Sequence, residues 1–162
     1  MDIKHTIRIS NNITKLQVIG DSEYDNALQS TLISVELGDN CKELGPSCFI
    51  NCKNLEYVKM PKTCRVIGEY AFYGCENLKY VTCIDKNDCY PVFEYGAHAF
   101  DGCNSLTEVN YMLSYDKNTN EASRDVTIGP YCFANCNSLT SVTQKNWSFM
   151  GSHMFAGCEK LT

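Results

Sequence analysis

The sequence has no apolar stretch approaching the roughly 20 residues that span a lipid bilayer. It also has no basic stripe, since 14 Lys and Arg face 19 Asp and Glu and the net charge is −5. Clustered basic residues supply most non-specific affinity for nucleic acids, so nucleic acids and anionic membranes are poor candidate partners. The first residues lack the apolar core of a secretory signal, which predicts retention inside the cell or export by another route.

Motifs for catalysis and cofactor binding are also missing. No glycine-rich phosphate loop, nucleophile motif or paired acid–base constellation occurs, so we expect neither an enzyme nor a bound cofactor. Residues 116–120 copy the first three ligand positions of a calcium loop, but Thr127 stands where its bidentate glutamate belongs. His98 and His153 share a repeat position about two coils apart, too far for one zinc ion, and are predicted to be surface histidines.

What the sequence does contain is one phrase in five copies: glycine, phenylalanine four residues later, cysteine seven later and leucine ten later. A degenerate sixth copy begins at Gly20. The basic spacing of about 23 residues is typical of a leucine-rich-repeat solenoid, whereas a propeller blade takes about 40. The repeat positions predicted to pack in a common core are Phe49, Phe72, Phe100, Phe133, Phe155, Cys52, Cys75, Cys103, Cys136, Cys158, Leu55, Leu78, Leu106 and Leu139.

The chain has eleven cysteines, five of which hold that one repeat position. Cys48 and Cys132 hold another position, where other copies carry alanine or methionine. Because free buried cysteine behaves as a small apolar side chain, the pattern favours structural thiols. Some disulfides, or a metal, remain alternatives, and Cys83 and Cys89 are the most plausible disulfide pair.

Each repeat combines two hydrophobic periods. Between the glycine and the cysteine the apolar residues lie three or four apart, which predicts a turn of helix or 3-10 helix. Glycine or asparagine directly before each repeated cysteine predicts a left-handed end to that turn. After the leucine, Val58 and Met60 alternate with Tyr57 and Lys59, which predicts a short strand buried on one side.

The segment from Ile67 to Val81 reads Ile-Gly-x-x-Ala-Phe-x-x-Cys-x-x-Leu-x-x-Val and resembles the BspA-like leucine-rich repeats, the fifth class of that repeat. The resemblance implies a right-handed solenoid with a short-stranded parallel sheet on the concave face and short helical or 3-10 turns on the convex face. It also implies adhesion to host or matrix proteins at the surface of bacteria or protists, and no catalytic residues. The chain departs from the class in its long linkers, in its lack of a signal segment and in having the proline after the strand only at Pro61.

The repeats divide the chain into an N-terminal strand cap at 1–19 and a solenoid of about six coils at 20–162. Two neighbouring coils carry insertions near 84–95 and 111–127, and insertions at one place in successive repeats often form a binding face. The last coil stops before its strand, so we expect the missing strand to come from a longer chain or from a docked partner.

The repeat surface suggests a non-enzymatic module that binds proteins, in adhesion or recognition at a cell or virion surface. The alternative is a structural subunit that docks through its open last coil. The same aromatic residues could instead pack the insertions onto the coil, and the strand residues could be the solvated side of the sheet. The candidate contact residues are Tyr57, Lys59, Tyr80, Tyr90, Phe93, Tyr111 and Tyr115.

Overall fold

The chain is a stack of parallel coils in a computed structural model that describes residues 5–17, 29–83, 92, 94–109, 126–142 and 149–162. Residues 29–31 are helical and lead directly into a strand. The strands are β1 (His5–Arg8), β2 (Lys15–Leu16), β3 (Leu32–Glu36), β4 (Glu43–Leu44), β5 (Tyr57–Met60), β6 (Val66–Ile67), β7 (Tyr80–Cys83), β8 (Glu94–Tyr95), β9 (Thr127–Ile128) and β10 (Phe149–Met150).

Two parallel sheets run along the stack. Sheet A has the order β1-β3-β5-β7, and sheet B has the order β10-β9-β8-β6-β4-β2. The alternation in β5 is as predicted, because Val58 and Met60 are buried while Tyr57 is exposed. The parallel sheet of a leucine-rich-repeat solenoid is therefore confirmed.

Sheet B was not predicted from the sequence. Its strands from β4 onward are the two residues directly before each repeat glycine. A strand of two residues is too short to show the two-residue hydrophobic period, so only the stacking of coils reveals it. β2 lies within the predicted N-terminal cap and pairs with β4, while β1 pairs with β3.

The eight residues from each repeat glycine to the repeated cysteine form what we call the turn segments (45–52, 68–75, 96–103, 129–136 and 151–158). They have the i to i+3 hydrogen bonds of 3-10 turns, such as Cys75 N to Phe72 O at 3.1 Å, but they are not continuous helix. The residue before each cysteine has the predicted positive φ, for example Asn51 at 56°. The second residue after each glycine also has a positive φ, for example Tyr70 at 55°, and this breaks the helix.

In the first four turn segments, alternate backbone N–H groups donate to the next coil instead of to their own coil. Phe72 N donates to Ala99 O at 2.7 Å, and Phe100 N donates to Cys132 O at 2.7 Å. The coils are therefore hydrogen-bonded to one another through the turn segments as well as through both sheets, which satisfies backbone groups that a helix would satisfy internally.

The core is a narrow column of identical side chains. The rings of Phe49, Phe72, Phe100 and Phe133 stack with centroids 5.0–5.3 Å apart, and all four are 0% exposed. Phe155 continues the stack at 5.8 Å from Phe133 but is only partly buried. The repeat leucines Leu55, Leu78, Leu106 and Leu139 are fully buried beside them.

Candidate interaction surface

Two stacked tyrosines stand on the outer face of sheet A. The register places Ser34, Tyr57 and Tyr80 in one column of β3, β5 and β7, and each tyrosine lies two residues after a repeat leucine. The rings of Tyr57 and Tyr80 lie 5.7 Å apart at 16°, and the two residues remain 43% and 41% exposed. They are an exposed aromatic patch held by a regular sheet, and we call them the tyrosine pair.

Two ion pairs lie beside the tyrosine pair. Lys59 Nζ lies 3.5 Å from Glu36 Oε1, which places this predicted contact residue in an ion pair in the neighbouring column. Lys79 Nζ donates to Glu56 Oε2 at 2.9 Å and lies 6.0 Å from the ring centroid of Tyr57. The hydrogen bond to Glu56 raises the pKa of the Lys79 ammonium above its usual value.

The remaining predicted contact residues lie outside the described part of the chain. These are Tyr90, Phe93, Tyr111 and Tyr115. Most of both predicted insertions and the calcium-like residues 116–120 are likewise outside it. So are Cys89 and the side chain of Cys83, the predicted disulfide pair.

The cysteines that the structure describes are free thiols packed into the stack. Cys75 Sγ donates to Phe49 O at 3.1 Å, and Cys103 Sγ donates to Phe72 O at 3.3 Å. Burial raises the pKa of Cys52 to about 12 and that of Cys103 well above its usual value, so both thiols stay protonated. No group of three potential metal ligands occurs among the described residues.

A second aromatic column, which the sequence analysis did not predict, lies on the turn segments. The rings of Tyr70, His98, Tyr131 and His153 stack at 4.9, 5.0 and 5.0 Å, with interplanar angles of 4–7°. We call these four residues the ring ladder. They share the second position after a repeat glycine, so a repeat alignment that included Tyr70 would have placed all four in one column, but it would not have shown that their rings stack.

One ring of the ladder, that of His98, contacts the buried carboxylate of Asp101. His98 Nδ1 lies 2.8 Å from Asp101 Oδ2, and Asn135 Nδ2 donates to Asp101 Oδ1 at 2.8 Å. Asp101 is 8% exposed, and these two hydrogen bonds satisfy both of its oxygens. They also hold the His98 imidazole in a single orientation.

The described residues include no helix with the length and apolar character needed to cross a membrane.

No curated protein matches the chain. The crystal structure of a leucine-rich repeat protein from Bacteroides ovatus has a similar fold, with a TM-score of 0.69 at 24% identity. The similarity spans 98% of this chain but 36% of the Bacteroides protein.

The family comparison agrees with the two sheets, the stacked core and the repeated phrase. A match to the BspA type leucine rich repeat region, in six copies, spans residues 4–122 and 93–162. These two ranges together include almost all of the chain. The chain belongs to the BspA-type leucine-rich repeat family.

Proposed function

We propose that this chain is a non-enzymatic module that recognises another protein through the outer face of sheet A, with the tyrosine pair as its central contact. The observation that carries this proposal is the exposure of two large stacked rings on the regular face of the sheet. The coarser role of a protein-interaction module fits the repeat family. Adhesion or recognition at a cell or virion surface is the finer role that we propose for it.

The chemistry of this face suits a protein partner. Tyrosine offers an apolar ring and a hydroxyl group at a low cost in side-chain entropy, and it is enriched in protein interfaces. The stacking of Tyr57 on Tyr80 restricts both rings before a partner arrives, which lowers the entropy cost of binding. The ion pairs of Lys59 and Lys79 provide a polar rim of both charge signs.

The test is the double variant Tyr57→Ala/Tyr80→Ala, measured by surface plasmon resonance against a panel of immobilised extracellular-matrix proteins. We expect the dissociation constant for a bound matrix protein to rise at least about ten-fold, because central aromatic contacts dominate interface energies. The melting temperature should stay unchanged, since both side chains are exposed.

Tyr73→Ala is the matched control, because Tyr73 is 37% exposed but lies on a turn segment. It should leave the dissociation constant unchanged. An unchanged constant in the double variant, or an equal loss in the control, would remove the tyrosine pair from the binding surface.

The last coil favours a second candidate function, docking of another chain. Phe149 and Met150 of β10 are 73% and 62% exposed, although Ile128, the register partner of Met150 in β9, is 3% exposed. Phe155, Cys158 and Leu161 are only partly buried, unlike their counterparts in earlier coils. Among the described residues the C-terminal coil therefore leaves these apolar side chains uncovered, and a further parallel coil, of a longer chain or of a partner, would bury them.

A further inference from the structure

The ring ladder occupies backbone positions that disfavour large side chains. Tyr70, His98 and Tyr131 each have φ of 55°, and His153 has φ of 58°. Side chains with a Cβ are strained in this left-handed region, where glycine is the relaxed choice. Ser47 has the same conformation, with φ of 56°, at this position of the first complete repeat, so the backbone there does not require a ring. Four successive coils nevertheless place a ring at this position.

Few charged residues lie in the four turn segments that carry the ring ladder. They are Glu69, which is exposed beside Tyr70, and Asp101, which is buried and hydrogen-bonded. Small or uncharged residues such as Ala97 and Pro130 flank the rings. Tyr73 widens the aromatic surface, with its ring edge-on to Tyr70 at 5.6 Å. Depletion of charge together with aromatic enrichment is the composition of the centre of a protein interface.

Tyrosine and histidine, which offer different hydrogen-bonding groups, alternate along the ladder. An ionised carboxylate only accepts hydrogen bonds, so Nδ1 of His98 carries the proton that it shares with Asp101. In the neutral imidazole the Nε2 atom of His98 is then an acceptor. Each tyrosine hydroxyl can donate, and tyrosine and histidine follow one another in the order Tyr70, His98, Tyr131 and His153.

This order is self-complementary when it is reversed. We propose that the ring ladder is a self-association surface, on which a second copy of this chain packs antiparallel about a two-fold axis between His98 and Tyr131. Tyr131 then lies opposite the partner's His98, and Tyr70 lies opposite the partner's His153. Every tyrosine then faces a histidine. In a parallel arrangement each tyrosine would face a tyrosine and each histidine a histidine.

The even spacing of the rungs supports this arrangement. The centroid distances of 4.9, 5.0 and 5.0 Å are the same in both directions along the ladder. A reversed copy therefore stays in register over all four rungs. A two-fold dimer requires one surface that complements itself in this way.

The first test is sedimentation equilibrium of the whole chain, with a thiol reductant, at about pH 8. We expect a monomer–dimer equilibrium. Tyr131→Phe keeps the ring but removes the donor from two symmetry-related pairs, so the dissociation constant of the dimer should rise at least about ten-fold. Tyr57→Phe, which removes a hydroxyl from sheet A, is the matched control and should have no effect.

The second test is a rescue across the proposed axis. Tyr70→His and His153→Tyr should each weaken the dimer, because each sets two identical rings opposite one another. The double variant Tyr70→His/His153→Tyr restores a tyrosine opposite each histidine and should recover most of the affinity, a coupling that a merely structural role would not produce.

Several results would overturn the proposal. These are a monomer throughout the concentration series, a dimer that responds equally to Tyr131→Phe and Tyr57→Phe, and a double variant no tighter than the singles. A dimer formed through the C-terminal coil would give the second result. Circular dichroism of each variant verifies that the solenoid remains folded.

Discussion

At the residue scale, the repeated cysteine acts as a packing residue with one hydrogen bond. Its thiol donates to the phenylalanine carbonyl of the preceding coil, as Cys136 Sγ does to Phe100 O at 3.3 Å. The same carbonyl accepts an N–H within its own coil, from Cys103 at 3.1 Å. A small apolar group with a weak donor satisfies this position, which explains why one residue type recurs there.

The buried thiols should make the protein sensitive to alkaline pH. Burial raises the pKa of Cys52 to about 12 in the folded protein, from 9.0. The unfolded thiol therefore loses its proton first, and the free energy of unfolding falls as pH rises above about 9, by up to about 1.4 kcal/mol per pH unit for each thiol. Urea denaturation in the presence of a reductant, at a series of pH values, measures this slope.

Cys52→Ala is the control for this linkage. The variant should be less stable at neutral pH, because it leaves a cavity in the core. Its stability should nevertheless fall less steeply above pH 9, since one titrating thiol is gone. Identical slopes for the two proteins would contradict the assigned cause.

At the element scale, the repeat glycines set how closely neighbouring coils approach. A Cβ built on Gly96 would lie 2.3 Å from the backbone N of Glu69. One on Gly129 would lie 2.5 Å from the backbone N of Ala97. Because backbone atoms cannot move aside as a flexible side chain can, these glycines are required by the stacking of turn segments.

Gly96→Ala should therefore destabilise the protein severely, and more than Gly102→Ala. Gly102 has φ of +79°, so alanine there should cost about 1–2 kcal/mol of backbone strain, but its Cβ would meet Gly74 at an ordinary 3.6 Å. Thermal unfolding of the two variants compares the two causes directly. A smaller fall in melting temperature for Gly96→Ala than for Gly102→Ala would show that the coils can separate to admit a methyl group.

Some strands and backbone conformations were predicted from the sequence, and others were not. β5 was predicted from its alternation, and the positive φ at Asn51 and Asn135 from their position before the cysteine. The positive φ at Tyr70 was not predicted, because tyrosine has no preference for that backbone. Its conformation is imposed by hydrogen bonds between coils, such as Tyr70 N to Ala97 O at 3.0 Å.

At the scale of the whole molecule, each coil buries its apolar residues only against its neighbours, so stability is shared along the stack. Met150→Asp should change the free energy of unfolding of the isolated chain by less than about 0.5 kcal/mol, because Met150 is 62% exposed. Ile128→Asp, the same repeat position one coil earlier, should prevent folding, since Ile128 is 3% exposed. Urea denaturation measures both.

The same Met150→Asp chain tests docking at the C-terminal coil. If a partner covers that face, the variant should fail to enter any larger assembly that the unaltered chain forms, as light scattering of the purified particles would measure. Equal entry of both chains would exclude β10 from the contact.

The sequence by itself determined the repeat and the coil length, because a column in which phenylalanine or leucine recurs every 23 residues or so can be buried only by stacking. It also placed Phe155 and Cys158 in the core, but these two residues of the last coil are only partly buried. It also placed Tyr57 and Tyr80 in one column, since equal repeat positions become register partners. Only the tertiary structure decided that sheet B exists and that Tyr70, His98, Tyr131 and His153 form one ladder. Both features form through contacts between coils, so the sequence of a single coil does not predict them.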